Sequence, residues 1–403
     1  MSIGPEGGYG GYGGYGGYGG YGGYGGYGGY GGYGGYGGYG GYGGYGGYGG
    51  DNPLVSGAMI TNHDGITGAQ LQTIGPVAPG APNSTENLPR LSAAVRAAIY
   101  QAELGPTVDV TFETSNGQPQ AVLWRRSEER GRKRKFNMDP MVELIAPTAD
   151  QLGTQMDQVW GYAQIRSDRA AEIVSQTGIP LQFYQSIGFI DPGRTPYTLE
   201  FLGAALAFTA SAYQRMKYTL AVKRPIEYSP QIQPMIATPT HGSLPSGHAT
   251  EAFLMARLIW KLLRTSNAPQ YSNTAHWGEM LMRLAARIAT NRTVAGVHYP
   301  VDSVAGAILG ATLAEHVFTE CCGGDWWSSC FDGTLFDPHG DLNWHDIYKA
   351  EDDTMKPDAT SSLGTWMTGQ NETADPNFEA SPVLSWLWSK AVAEWQDIDP
   401  NVT

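Results

Sequence analysis

Lys217 is followed seven residues later by Arg224-Pro225, then come Pro245-Ser246-Gly247-His248, and finally Arg292 with His298 and Asp302. Brought to one pocket, these residues supply three fixed cations, a hydroxyl, a backbone N–H and two imidazoles. That inventory suits a tetrahedral or trigonal-bipyramidal oxyanion such as phosphate or vanadate. Each piece alone is common. The ordered set, complete within residues 217–302, is not.

The spacing says how each piece would work. Seven residues are about two helical turns, so Lys217 and Arg224 are expected on one helix face, with Pro225 barring continuation. Two surface cations would satisfy the same spacing, but Lys217 sits among Ala, Phe, Tyr, Met and Leu, where an unpaired ammonium is costly. Ser246-Gly247-His248 reads as a helix opening, where unsatisfied N–H groups and the dipole attract anions. A serine N-cap beside a surface histidine is the plainer alternative, and it leaves the Pro-Ser-Gly-His order unexplained. Arg292 closes the preceding helix and offers a planar fork to oxyanion oxygens. His298 and Asp302 are four apart. On one helix they would share a face, so that the carboxylate holds one ring nitrogen and the other meets the ligand. A core histidine with an ionic partner has the same signature.

These residues need a scaffold, and the periodicity predicts helices. Apolar residues recur at three- and four-residue intervals over 149–175, 196–222, 248–263, 276–290 and 300–318, with a further helix over 91–104. Ser246 and Gly247 precede the helix near His248, and Pro300 suits a first helical turn. Residues 108–124 alternate around Asn116-Gly117, a hairpin signal. Beyond it, strand signals nearly vanish. The predicted fold is therefore all-α, a helical bundle with a minor β-hairpin. Residues 51–95, rich in Pro, Gly, Asn and Thr, read as an extended lead-in. The Trp- and Asp-rich stretch from Cys321 onward holds one convincing helix, 382–395, and is expected to pack over the bundle.

Residues 7–50 are an unbroken Gly-Gly-Tyr repeat with 14 of the 24 tyrosines. Glycine at two positions in three makes ordering entropically expensive, and no aliphatic residue offers a core. The expected organisation is a disordered tail, 1–50, and one helical domain, 51–403. Its oxyanion-site core spans about 195–320, followed by an acidic extension, 321–403. The formal net charge of −13 makes nucleic acid a poor partner. The exception is the basic run from Arg125 to Lys135, read as a solvated loop or a subunit contact. Three cysteines, two of them adjacent, suggest neither a disulfide framework nor zinc. The opening residues lack a signal peptide's regions and no stretch reads as a bilayer span, so a cytoplasmic location is expected.

The order Lys-x6-Arg-Pro, Pro-Ser-Gly-His, Arg-x5-His-x3-Asp resembles the superfamily joining vanadium-dependent haloperoxidases to type 2 phosphatidate phosphatases and bacterial acid phosphatases. The usual serine before the third-motif arginine is Asn291 here. The resemblance implies vanadate as cofactor, without haem, and His298 as the axial metal ligand. It implies that Lys217, Arg224, Ser246, the Gly247 N–H and Arg292 hold the equatorial oxygens. His248 would be the acid–base group, Asp302 would orient His298, and Lys217 would also polarise the peroxide.

One cage serves two chemistries. A haloperoxidase would use hydrogen peroxide to oxidise bromide or iodide to hypohalous acid, which halogenates a small organic acceptor. A phosphatase would form a phosphohistidine at His298 while His248 protonates the leaving group. The length of the folded part and the absence of a predicted span favour the peroxidase. So does His241, seven residues before His248, where bromoperoxidases of the superfamily tend to carry histidine. It would bond His248 or help bind halide. Gln214 departs from the Trp or Arg often found three residues before the lysine. Homo-oligomers are common in the family. A tyrosine-rich structural protein with a vestigial domain is the non-enzymatic alternative, and the complete cage weighs against it.

Overall fold

The computed structural model describes residues 53–67, 80–129, 135–178, 180–271 and 274–396. The predicted disordered tail lies outside the described residues. Helices form where the periodicity predicts them. The N-terminal ones are α1 (Pro53–Ile66), α2 (Ala93–Leu104), α3 (Ala149–Tyr162), α4 (Arg166–Ser175) and α5 (Leu181–Gly188). Then come the long α6 (Pro196–Leu220), the one-turn α7 (Pro225–Tyr228), α8 (Gly247–Ser266), α9 (Thr274–Val294), α10 (Pro300–Cys322) and the C-terminal α11 (Pro382–Gln396). The α1 helix replaces the extended lead-in expected there.

The all-α expectation is overturned. A six-stranded mixed sheet runs β1 (Val108–Ser115), β2 (Gln118–Glu129), β3 (Lys135–Ile145), β4 (Trp326–Asp332), β8 (Gly364–Glu372) and β7 (Asp358–Ser361), in that spatial order. A separate small ladder joins β5 (Tyr348–Lys349) to β6 (Thr354–Met355). The fold is mixed α/β. The Asn116-Gly117 hairpin is only its first corner: β1 and β2 pair around that two-residue turn, with Ser115 opposite Gln118.

Two features hid the rest of the sheet. Pro140 interrupts β3, and the ladder absorbs it at a bulge, where Leu123 faces Val142 while Trp124 faces Pro140. The sheet also closes through a parallel pairing of β3 with β4, residues 142–145 against 329–332, which no local pattern announces. Residues on the β2 face toward the helices, Ala121 and Leu123, are fully buried. Arg125, expected in a solvated basic run, is buried too. It lies 3.6 Å from Glu320 and over the rings of Trp326 and Phe378. Residues 130–134 of that run lie outside the described residues.

The central relationship is the pairing of α8 with α10. A Cβ on Gly306 would lie 2.6 Å from the Ser246 carbonyl oxygen, and one on Gly310 would lie 2.2 Å from that of Thr250. Only glycine at both positions lets α10 approach the backbone of α8 so closely. The two helices consequently begin side by side, and the Ser246 N–H donates to the Asp302 carbonyl oxygen at 2.9 Å. By length and composition α10 is apolar enough to cross a membrane, yet 89% of its most apolar window is buried inside this fold. It is the core helix.

Candidate oxyanion site

The first turns of α8 and α10 bring the second and third motifs together. Ser246 is the N-cap of α8: its hydroxyl oxygen accepts from the Ala249 N–H at 3.3 Å, leaving the hydroxyl hydrogen free to donate. Gly247 is the first residue of the helix, and the Tyr213 ring packs where its side chain would be, 3.1 Å from an added Cβ.

His298 and Asp302 do not share a helix face. The α10 helix starts at Pro300, so His298 lies in the approach and Asp302 in the first turn. The pair forms nonetheless, by capping. One carboxylate oxygen of Asp302 accepts from the Tyr299 N–H at 3.0 Å, from His298 Nδ1 at 2.9 Å, and from the Ser243 hydroxyl. With Nδ1 donating, the lone pair of a neutral His298 sits on Nε2. Ser243 went unnoticed in the sequence, although it stands between two of the motif residues, His241 and Ser246.

Lys217 and Arg224 also part company. The α6 helix ends at Leu220 with Ala221 in the left-handed conformation (φ 52°), so Arg224 comes from the following connection. Pro225 opens α7 instead of stopping α6. Lys217 Nζ donates to the carbonyl oxygens of Gly242 (2.9 Å) and Ser243 (3.0 Å). Arg224 spreads over four acceptors. Its Nε donates to the His241 carbonyl (3.1 Å), and one terminal nitrogen to the Val297 carbonyl (2.7 Å) and His298 Nε2 (2.9 Å). The other terminal nitrogen lies 3.0 Å from His241 Nδ1. His241 therefore touches Arg224, not His248 as one reading of the sequence proposed.

Arg292 stands in the last turn of α9. One terminal nitrogen approaches the Ile173 carbonyl (3.2 Å) and the Gln176 Oε1 (3.4 Å), whereas its Nε and other terminal nitrogen are buried with no hydrogen-bond partner. Its neighbour Asn291 ties α9 to α4, donating to Glu172 (2.8 Å) and Gln176 (2.9 Å) and accepting from Arg169 (2.9 Å). His248 Nε2 donates to the Gln176 carbonyl at 3.0 Å. Gln176 thus joins the second motif to the third. No sequence signal marked it, because a lone glutamine at a helix end has no chemistry of its own.

The electrostatics are those of an anion receptor. Burial lowers every basic group of the site, and the repulsion of neighbouring cations adds to it for Lys217 and the three histidines. Burial brings Arg224 and Arg292 down to about 10. Burial and the Arg292 guanidinium push His248 down to about 3, and burial with Lys217 and Arg224 brings His241 to about 3. Lys217 and His298 are held well below their ordinary values by burial and then by Arg224. Burial raises the Asp302 carboxyl, opposed by its hydrogen bonds to Ser243 and the Tyr299 N–H and by the nearby cations. A multiply charged anion offsets the penalties on the cations and imidazoles together.

Residues 199–319 match the PAP2 superfamily model. The matched span takes in all nine predicted site residues, from Lys217 to Asp302, and leaves out Glu172, Gln176 and the sheet. It supports the phosphatase and haloperoxidase superfamily that the motifs suggest, whose members are in general enzymes. No curated protein matches the chain.

Proposed function

We propose that this protein is a vanadate-dependent haloperoxidase, oxidising bromide and iodide with hydrogen peroxide to hypohalous acid. The observation that carries the oxyanion reading is Arg292. A buried guanidinium with two nitrogens unpartnered is costly unless an acceptor-rich ligand meets it. The donor set around it fits vanadate. His298 Nε2 would be the single protein ligand to the metal. Lys217, Arg224, Arg292, the Ser246 hydroxyl and the Gly247 N–H would hold its oxygens. When bound, vanadate supplies a Lewis-acid centre that activates peroxide toward halide.

The remaining work falls to this chain's side chains. His248, neutral with its Nε2–H on the Gln176 carbonyl, has its lone pair on Nδ1 and accepts a proton from hydrogen peroxide there. Asp302 holds the His298 tautomer and compensates the positive charge of the cluster. Lys217 polarises the peroxide through the donor its two carbonyl contacts leave over. His241 acts on the halide step through Arg224.

A phosphatase acting through a phosphohistidine at His298 is the second reading. The Asp302–His298 dyad favours it, because the Nε2 lone pair suits in-line attack on phosphorus. His241, on Arg224 at 3.0 Å, favours the peroxidase, because bromoperoxidases of the superfamily tend to carry histidine at that position. Two assays separate the readings. Bromination of monochlorodimedone by the apo protein should appear only when vanadate is added. Hydrolysis of p-nitrophenyl phosphate inhibited by vanadate, with no bromination, would establish the phosphatase instead.

A further inference from the structure

Gln176 is fully buried at the C-terminal end of α4, outside the PAP2-matched span, and contacts both the anion-gripping and the proton-transferring residues. Its Oε1 accepts from Asn291 Nδ2 at 2.9 Å and faces Arg292 at 3.4 Å. Its amide nitrogen donates to Glu172 at 3.3 Å, and its main-chain carbonyl accepts from His248 Nε2 at 3.0 Å. We propose that Gln176 is a positioning residue that sets Arg292 and His248 as one unit, and that its neutrality is what leaves the charge of Arg292 available to the oxyanion. This rests on the oxyanion reading of the site.

The charge layout gives the physical reason. Glu172 is the carboxylate closest along α4, and it is engaged by Arg287 through two contacts of 2.7 Å and by Asn291 at 2.8 Å. Arg292 therefore meets an amide oxygen where a carboxylate of the same shape would fit. An amide oxygen orients a guanidinium without cancelling its charge; a carboxylate would do both. The same residue turns its carbonyl to His248. A carbonyl only accepts, so the proton is held on Nε2 and the lone pair on Nδ1. Displacement of Gln176 would disturb the grip on the anion and the orientation of the base together.

Gln176→Glu keeps the side-chain shape and both acceptor contacts and exchanges the amide donor to Glu172 for an oxygen, a structural cost that melting reads separately from anion affinity. Titration calorimetry of the full-length protein with orthovanadate, and separately with inorganic phosphate, supplies the readout, with thermal melting as the check on folding. Gln176→Glu should weaken both anions at least tenfold at a melting temperature within a few degrees of wild type. Gln176→Asn, retracted by one methylene, should weaken them several-fold and lower turnover of the active assay, and it carries the same test should the glutamate variant not fold. Wild-type affinity in a folded Gln176→Glu overturns the proposal while leaving the oxyanion site standing. A wild-type protein that binds neither anion removes the site itself.

Discussion

The Arg224 guanidinium donates to His298 Nε2 at 2.9 Å, so a cation covers the one lone pair that the imidazole has left after its bond to Asp302. On the proposed oxyanion reading, an entering anion would draw Arg224 onto itself and uncover the nitrogen. Arg224→Lys, a point charge, cannot serve the Val297 and His241 carbonyls and the ligand together. Phosphate affinity measured by calorimetry should fall by about tenfold or more, a loss of roughly 1.4 kcal/mol.

Replacing Asp302 by Ala strands three buried donors, His298 Nδ1–H, the Tyr299 N–H and the Ser243 hydroxyl. Each unsatisfied group costs about 1–3 kcal/mol, so urea unfolding should show a loss of several kcal/mol. The active assay should lose its activity with it, since the His298 tautomer is no longer held. Asp302→Asn should recover much of the stability and little of the activity.

His298→Ala should abolish both bromination and phosphate-ester hydrolysis, whichever the wild type performs. His248→Ala should behave differently. Turnover should drop by about 10²–10⁴, the usual worth of a general acid–base group, while vanadate affinity stays within tenfold. Equal losses of affinity and rate in His248→Ala would place it among the anion-holding groups instead.

Anion binding should depend on pH with a definite sign. Lys217, His248 and His298 lie below their ordinary values, the imidazole of His248 at about 3. A bound anion favours their charged forms and raises each pKa, so binding takes up protons. Affinity for phosphate, kept as the dianion, should fall as pH rises from 8 to 9. Calorimetry in buffers of different ionisation enthalpy should register proton uptake; proton release would contradict the electrostatic account.

Gly310→Ala places a methyl group where the Thr250 carbonyl oxygen is 2.2 Å away. Overpacking of this kind costs about 1–3 kcal/mol, read as a lower urea midpoint. Because α8 and α10 carry Ser246 and Asp302 on their first turns, activity should fall more than stability alone accounts for. The same change at Gly117, where nothing lies within 4 Å, should leave activity intact despite its strained turn (φ 81°).

The helices were legible because their apolar faces repeat locally. The motifs were legible because oxyanion chemistry needs rare residue types, and α8 and α10 begin at the predicted Ser246-Gly247 and Pro300. The strands were not. Pro140 spoils the alternation of β3, and β4 pairs with β3, almost two hundred residues earlier, on one side and with β8 on the other. The break after Leu220 was missed for a related reason. Spacing of seven is compatible with one helix, and only the left-handed Ala221 reveals that the chain turns before Arg224.

What the amino-acid order determined by itself is which groups are present: the cations, imidazoles and caps, each on a segment whose local pattern specifies a helix start or end. What only the tertiary structure decided is who meets whom. The close approach of α8 and α10 at Gly306 and Gly310, the placing of His241 on Arg224, and the reach of Gln176 to both Arg292 and His248 are contacts between distant segments. Such contacts follow from packing over the whole molecule, and no local periodicity or spacing announces them.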